Sequence, residues 1–331
     1  MKVCIVGAGA IGGVFGGWLG RSLPPAELAL SVLARGETLT ALQRDGLHLE
    51  SADGAKVEVR VRAESDAQRL GPQDLVVLAV KAPSLPSVAA LAAPLLAPHT
   101  QVLVAMNGVP WWFFDHLPGE CQGLRLASVD PGDAVRAAIP TRHVIGCVVH
   151  LSSTVPAPGR VRHGMGNGLI IGEPAGGDSE RLASLAALLT RAGFAVTVSP
   201  LIQRDIWFKL WGNMTVNPIS ALTGATADRI LDDPLTRAVC SAVMLEAQAI
   251  GARFGCAIDQ TPEQRHAVTR KLGAFKTSML QDLEAGRPLE LDALVGAVRE
   301  IGQHLAIPTP HIDSLLGLTR LMGRSRGLYP S

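Results

Sequence analysis

Polar and apolar positions follow one rhythm in the first 200 or so residues and another thereafter. Lys2–Val6 is a short β-branched-rich run that leads straight into Gly7-Ala8-Gly9-Ala10-Ile11-Gly12 and a small-residue stretch through Leu19, a strand–tight turn–helix pattern. The runs at 28–34 (LALSVLA), 74–80 (DLVVLAV) and 101–106 (QVLVAM) are almost continuously apolar, as parallel strands covered on both faces must be. The proline-bounded stretch 88–96 suits a helix between two of them. Shorter strands are predicted at 145–151, 168–172 and 195–199, with a helix at 179–192. After about Pro200 the spacing becomes helical only, over 205–217, 234–254, 261–285 and 291–305, punctuated by Pro, Gly and Asp. The pattern predicts an α/β chain: a doubly wound parallel sheet over 1–199 and an all-α domain over 200–331. The basic tail after Thr319 reads as a frayed end.

Composition supports this division. A chain of 331 residues accommodates two domains, and 47% hydrophobic against 18% charged residues is enough to build buried cores. A net charge of +1 removes the electrostatic reason to expect nucleic acid or an anionic membrane as partner. Five scattered cysteines, with no CxxC pair and no Cys/His spacing for a metal, read as reduced thiols of a cytoplasmic protein. The apolar N-terminus resembles a short secretory signal in outline, but its glycines fall at a dinucleotide-binding spacing and no small-x-small cleavage site precedes Arg21. No run reaches the roughly 18 apolar residues of a spanning helix, so a soluble protein is expected. A helical domain of this kind is compatible with a homodimer, which the sequence does not specify.

In Gly7-x-Gly9-x-x-Gly12 the first glycine permits the tight turn, the second admits a pyrophosphate close to the backbone, and the third lets helix and strand pack closely. Placed between a strand and a helix, the motif predicts a Rossmann-type dinucleotide site with phosphate at the helix N-terminus. The second strand ends in Arg35, where enzymes that use NAD usually carry an acid for the ribose diol. A guanidinium there suits a 2′-phosphate and favours NADPH/NADP, although Glu37 lies close by. Lys81 and Asn107 stand at the ends of apolar strands, where they face the ligand crevice or serve as turn residues.

Lys209, Asn213 and Asn217 recur every four residues in Trp207-Phe-Lys-Leu-Trp-Gly-Asn-Met-Thr-Val-Asn-Pro218, drifting slowly around one helical face. A lysine and two amides amid bulky apolar neighbours suggest a polar stripe on a cleft; a solvated face accounts for any one of them taken singly. Ser278 and Asp282 repeat the four-residue spacing. Glu290 and Asp292 follow where a new helix opens, positions at which helix-dipole chemistry and an N-cap are the plain alternatives.

Taken in order, the glycine motif, Arg35, Lys81, Asn107-Gly108, Lys209-x-x-x-Asn213-x-x-x-Asn217-Pro218, Ser278-Met-Leu-Gln-Asp282 and Glu290-x-Asp292 resemble the ketopantoate (2-dehydropantoate) 2-reductases over nearly the whole chain. The resemblance implies an NADP-dependent oxidoreductase that reduces a small-molecule 2-oxo acid to a 2-hydroxy acid. It implies that Gly7, Ala8, Gly9, Ala10, Ile11, Gly12, Arg35, Lys81 and Asn107 bind NADPH, and that Lys209 is the proton donor. Asn213, Asn217, Ser278 and Asn107 would hold the substrate, and Glu290 would orient Lys209 and the substrate hydroxyl. The chemistry is coherent, because hydride arriving at a ketone carbon builds negative charge on oxygen, which a nearby ammonium stabilises and protonates.

The chain departs from that family after Asn107-Gly108, where it continues Val109-Pro110-Trp111-Trp112-Phe113-Phe114. Such bulk either reshapes the substrate pocket or packs under the following helix. The region 117–142 is also longer than expected, and suggests a lid or a contact surface. Ketopantoate reduction, reduction of another branched or bulky 2-oxo acid, and a non-catalytic NADPH-binding sensor are all compatible with these residues; retention of Lys209 with Glu290 disfavours the sensor.

Overall fold

Lys2–Val6 forms β1 and Ala10–Ser22 forms α1 behind the glycine turn, in a computed structural model that describes residues 1–330. The chain continues through β2 (Ala29–Leu33), α2 (Gly36–Asp45), β3 (Leu47–Glu50), β4 (Lys56–Val59), β5 (Arg62–Glu64), β6 (Leu75–Leu78), α3 (Leu85–Ala92) and β7 (Gln101–Val104). After an irregular segment come α4 (Ala134–Ala138), β8 (Val144–Ala157), β9 (Arg160–Gly172), α5 (Glu180–Ala192) and β10 (Ala195–Val198). The strands make one sheet in the order β4-β3-β9-β8-β7-β6-β1-β2-β5, with β10 also on β9.

The core of this sheet is parallel, as its apolar runs require: β1 pairs with β2 and β6, and β6, β7 and β8 follow in register. The antiparallel parts, β8 with β9 and β3 with β4, are additions to the doubly wound plan. Strands β3, β4 and β5 escape the apolar pattern because they are short and interleaved with charged residues such as Glu50, Lys56, Glu58 and Arg62. The small-residue face of α1 explains how it lies against β3, β4 and β9. A Cβ on Gly13, Gly16, Gly17 or Gly20 would stand 2.2–2.7 Å from Val161, Leu47, Leu49 or Val59, so this helix approaches its strands more closely than side chains allow.

The helical part comprises α6 (Ile202–Thr223), α7 (Ala227–Asp232), α8 (Pro234–Arg253), α9 (Pro262–Arg270), α10 (Ser278–Glu284), a π turn at Asp292–Gly296, α11 (Ala297–His304) and α12 (Pro310–Ser325). Local chemistry sets several of its boundaries. Asp233 accepts the amides of Leu235 and Thr236 at the start of α8, Thr261 and Gln264 form a reciprocal capping box, and Thr277 caps α10. That second cap is why the single helix expected over 261–285 is two. The tail is not frayed: α12 runs through Ser325, and Leu328 returns its carbonyl to the amide of Leu289 at 3.0 Å.

Two compact units result, one of Met1–Met106 with Asp133–Ile202 and one of Asn107–Gly132 with Gln203–Ser331. The divide after Ile202 lies close to the sequence boundary at 199/200, but residues 107–132 belong with the helices and not with the sheet. Aromatic packing is the reason. Trp111, Trp112, Phe113 and Phe114 are all buried, Phe113 and Phe114 stand edge-on to Phe254 with centroids 5.9 and 5.2 Å away, and Phe254 stands edge-on to Trp207 at 4.8 Å. Farther along, the Glu300 carboxylate accepts the amides of Ala127 and Ser128 at 2.8 and 3.0 Å and the Ser128 hydroxyl at 2.6 Å. Among the described residues no helix is long and apolar enough to cross a membrane.

Candidate active site

In the sheet, β2 and then β5 lie outward on one side of β1, while β6, β7 and β8 follow outward on the other, the chain forming β3 and β4 at the far edge between β2 and β5. The reversal between β1 and β6 is a topological switch point, where the strand ends splay and leave a ligand crevice. Gly7 sits there at φ +92°, and a Cβ on it would meet the Val80 side chain at 2.6 Å and the Ala79 carbonyl at 2.8 Å. A Cβ on Gly12 would stand 2.0 Å from the Gly7 carbonyl oxygen, so turn and helix are in direct contact. Gly9 differs: a Cβ there would meet no protein atom within 4 Å. The space in front of the α1 N-terminus is open, no acid stands in that first turn, and its free amides carry the partial positive charge that attracts phosphate. Ala8 is buried, whereas Ala10 and Ile11 are half-buried on the first turn of α1.

Arg35 is exposed at the end of β2, as the N-cap residue of α2, with Glu37 in the first turn of that helix. Lys81 is exposed immediately beyond β6, where the 3₁₀ turn Ala82–Ser84 begins. Both cations therefore lie at carboxyl ends of strands flanking the glycine turn. A dinucleotide fits these residues: amides for the pyrophosphate, room above Gly9, and positive charge at the strand ends.

In the helical unit the central fact is one contact. Lys209, half-buried on α6, donates from Nζ to Asn107 Oδ1 at 2.8 Å. The two residues are 102 apart in sequence and meet because the turn at Gly108 is held from outside. Gly108 has φ +87°, a Cβ on it would stand 2.5 Å from the Ala293 carbonyl oxygen, and the same oxygen accepts the Val109 amide at 2.9 Å. Ala293 lies in the π turn, whose wider backbone ring frees a carbonyl for that contact. Asn213 and Asn217 follow Lys209 at one and two turns, half-buried and buried. Ser278 opens α10 half-buried, and Glu290 is buried just ahead of the π turn at 5% exposure.

Two acids flanking these positions have structural partners. Asp282, buried, accepts Arg287 Nε at 2.9 Å. Asp292 does not cap its helix; it accepts the hydroxyl of Tyr329 at 2.6 Å. Burial pushes the Asp292 carboxyl above its usual range, and the Tyr329 hydrogen bond offsets part of that rise. Tyr329 and Ala293 carried no sequence signal, because the tail is basic and polar and a main-chain carbonyl leaves no mark in the residue string. The five cysteines are buried and outside any disulfide; burial pushes the Cys4 thiol up to about 11 and those of Cys240 and Cys256 up to about 12, which makes these three poor nucleophiles. Among the described residues no group of three or more His, Cys, Asp or Glu is placed to hold a metal ion.

Comparison with known proteins shows the family. Residues 3–176 match the family model described as ketopantoate reductase PanE/ApbA, and residues 201–323 match the model of its C-terminal domain. The chain is 47% identical to a 2-dehydropantoate 2-reductase of Mesorhizobium japonicum, over 99% of this chain and 100% of that one. It is 28% identical to a 2-dehydropantoate 2-reductase of Halobacterium salinarum over 98% and 99%. Among solved structures, one from Ralstonia solanacearum MolK2, described as a candidate ketopantoate reductase, superposes with a TM-score of 0.95 at 62% identity over 99% of both chains.

Proposed function

The chain belongs to the ketopantoate reductase family of pyridine-nucleotide-dependent oxidoreductases, and from that premise we propose that it reduces 2-dehydropantoate to pantoate with NADPH. The bound cofactor supplies the hydride that adds to the C2 carbonyl carbon. Everything else falls to residues of this chain. The amides at the start of α1 hold the pyrophosphate, and Arg35 pairs with the 2′-phosphate, with Lys81 adding positive charge.

The Lys209–Asn107 contact carries the reading. The Asn107 amide oxygen accepts from Nζ and so helps to aim the Lys209 ammonium. As hydride arrives, the carbonyl oxygen gains negative charge; Lys209 stabilises it and transfers its proton, leaving the 2-hydroxy acid. Asn213, Asn217 and Ser278 supply hydrogen bonds to the substrate carboxylate and hydroxyl without burying unpaired charge. Glu290 orients Lys209 and the substrate hydroxyl.

Reduction of a bulkier 2-oxo acid has only the Trp111-Trp112 run in its favour, and both side chains are buried, at 3% and 1% exposure. The test is the loss of NADPH absorbance with 2-dehydropantoate, beside a panel of other 2-oxo acids and with NADH as control. Turnover selective for 2-dehydropantoate and NADPH is expected; turnover confined to another acid would replace the substrate, and equal use of NADH would remove the role given to Arg35.

A further inference from the structure

The last residues of the chain return to the segment that carries Glu290, and they hold it on both sides. On one side Leu289 donates its amide to the Leu328 carbonyl at 3.0 Å; on the other Asp292 accepts the Tyr329 hydroxyl at 2.6 Å. The tail itself is braced from α12. Leu328 donates to the Gly323 carbonyl at 2.8 Å, Arg324 donates to the Pro330 carbonyl at 2.9 Å, and the Arg324 guanidinium lies 5.7 Å from the Tyr329 ring centroid. A Cβ on Gly323 would stand 2.9 Å from Cβ of Tyr329, so this glycine makes the room in which the tyrosine sits.

Asp292 also opens the π turn, and the next residue in that turn, Ala293, supports Gly108 and Val109 beside Asn107. A continuous set of contacts thus runs from Tyr329 through Asp292 and Ala293 to Asn107 and Lys209 Nζ. We propose that Tyr329 is a positioning residue for the reduction: the tail clasps the 289–292 segment, fixing where Glu290 stands and keeping the π turn in the form that aims the Asn107–Lys209 pair. This rests on the roles given above to Lys209 and Glu290. The tyrosine acts through those residues and touches neither substrate nor cofactor. Consistent with a closed contact, burial and the Asp292 carboxylate push the Tyr329 phenol up to about 12.

Tyr329→Phe keeps the ring against Gly323 and Arg324 and removes only the hydroxyl. One lost hydrogen bond in the clasp is expected to lower kcat about tenfold and raise KM for the 2-oxo acid severalfold. NADPH affinity should stay within about twofold and unfolding should remain cooperative, a split that plain destabilisation would not produce. Unchanged kcat and KM in Tyr329→Phe, beside an inactive Lys209→Ala, would overturn the clasp alone; a fully active Lys209→Ala would overturn the site reading and the clasp with it. If Tyr329→Phe does not fold, Asp292→Asn takes its place, being equal in size and still an acceptor. Tyr329 is the sole tyrosine, so its phenolate absorbance reports the contact directly. The titration should move down from about 12, burial keeping part of the rise, with kcat lowered severalfold; an unmoved titration with unmoved kcat would overturn the proposal.

Discussion

Behind β1 the chain turns through Gly7 at φ +92°, and behind β7 it turns through Gly108 at φ +87°; in each case a Cβ would run into a backbone carbonyl, that of Ala79 at 2.8 Å or of Ala293 at 2.5 Å. The backbone device is shared and the use is opposite. After Gly7 the chain enters α1, whose N-terminal amides are the groups proposed to hold the pyrophosphate, a role that asks little of the side chains of Ala8, Ala10 and Ile11. After Gly108 no helix starts; the turn presents a side chain, Asn107, to a lysine 102 residues away. A site built of main-chain amides is set by a few adjacent residues. A site built of side chains depends on every contact that brings distant segments together.

Lys209→Ala should break the side-chain half most severely, lowering kcat by about a thousandfold, the range of a lost general acid, with NADPH affinity within about twofold. Single-turnover kinetics beside a fluorescence titration of cofactor separate the two quantities. Arg35→Ala should reverse that outcome: about a ten- to hundredfold loss of NADPH affinity, as for a lost charge-assisted pair, with NADH affinity and the chemical step little changed.

The two turns can be compared by adding one methyl to each. Gly108→Ala places a side chain at positive φ against the Ala293 carbonyl and should cost about 2 kcal/mol of stability, whereas Gly9→Ala, with open space around its Cβ, should leave the unfolding midpoint nearly unchanged yet weaken NADPH binding. Equal destabilisation by both in denaturant titrations would contradict the claim that Gly9 serves a ligand and Gly108 serves the fold.

The smallest effect belongs to Glu173 in the sheet unit. Burial alone would raise its carboxyl pKa, but hydrogen bonds from Arg181 and Ser179 outweigh that and hold it below the usual value. A depressed carboxyl contributes stability at pH above its ordinary pKa, and loses it as pH falls through the lowered one. Wild-type protein should therefore lose melting temperature more steeply than Glu173→Gln on acidification below about pH 4.5; parallel curves would show that the pair contributes nothing.

Much of the sheet unit was legible along the chain. Its central strands are apolar runs because both faces are covered, and the Gly7–Gly12 turn announces itself because steric demands there fall on adjacent residues. The polar strands β3, β4 and β5 were not legible, since pairing to an existing sheet edge supplies a register that their own alternation does not encode. Nor was the membership of 107–132, where the aromatic run could be read as pocket or as core until Phe254 and Trp207 were seen against it.

The sequence by itself determined which chemical groups this protein has: the glycine turn, Arg35, Lys81, and the four-residue spacing of Lys209, Asn213 and Asn217 on one helix. These are local, and local spacing translates directly into shared faces and turns. The tertiary structure alone decided that Lys209 meets Asn107, that Asp292 receives Tyr329 and does not cap its helix, and that the tail is a brace and not a loose end. Those outcomes depend on backbone carbonyls and side chains far apart in sequence, which converge only when the helical core has packed.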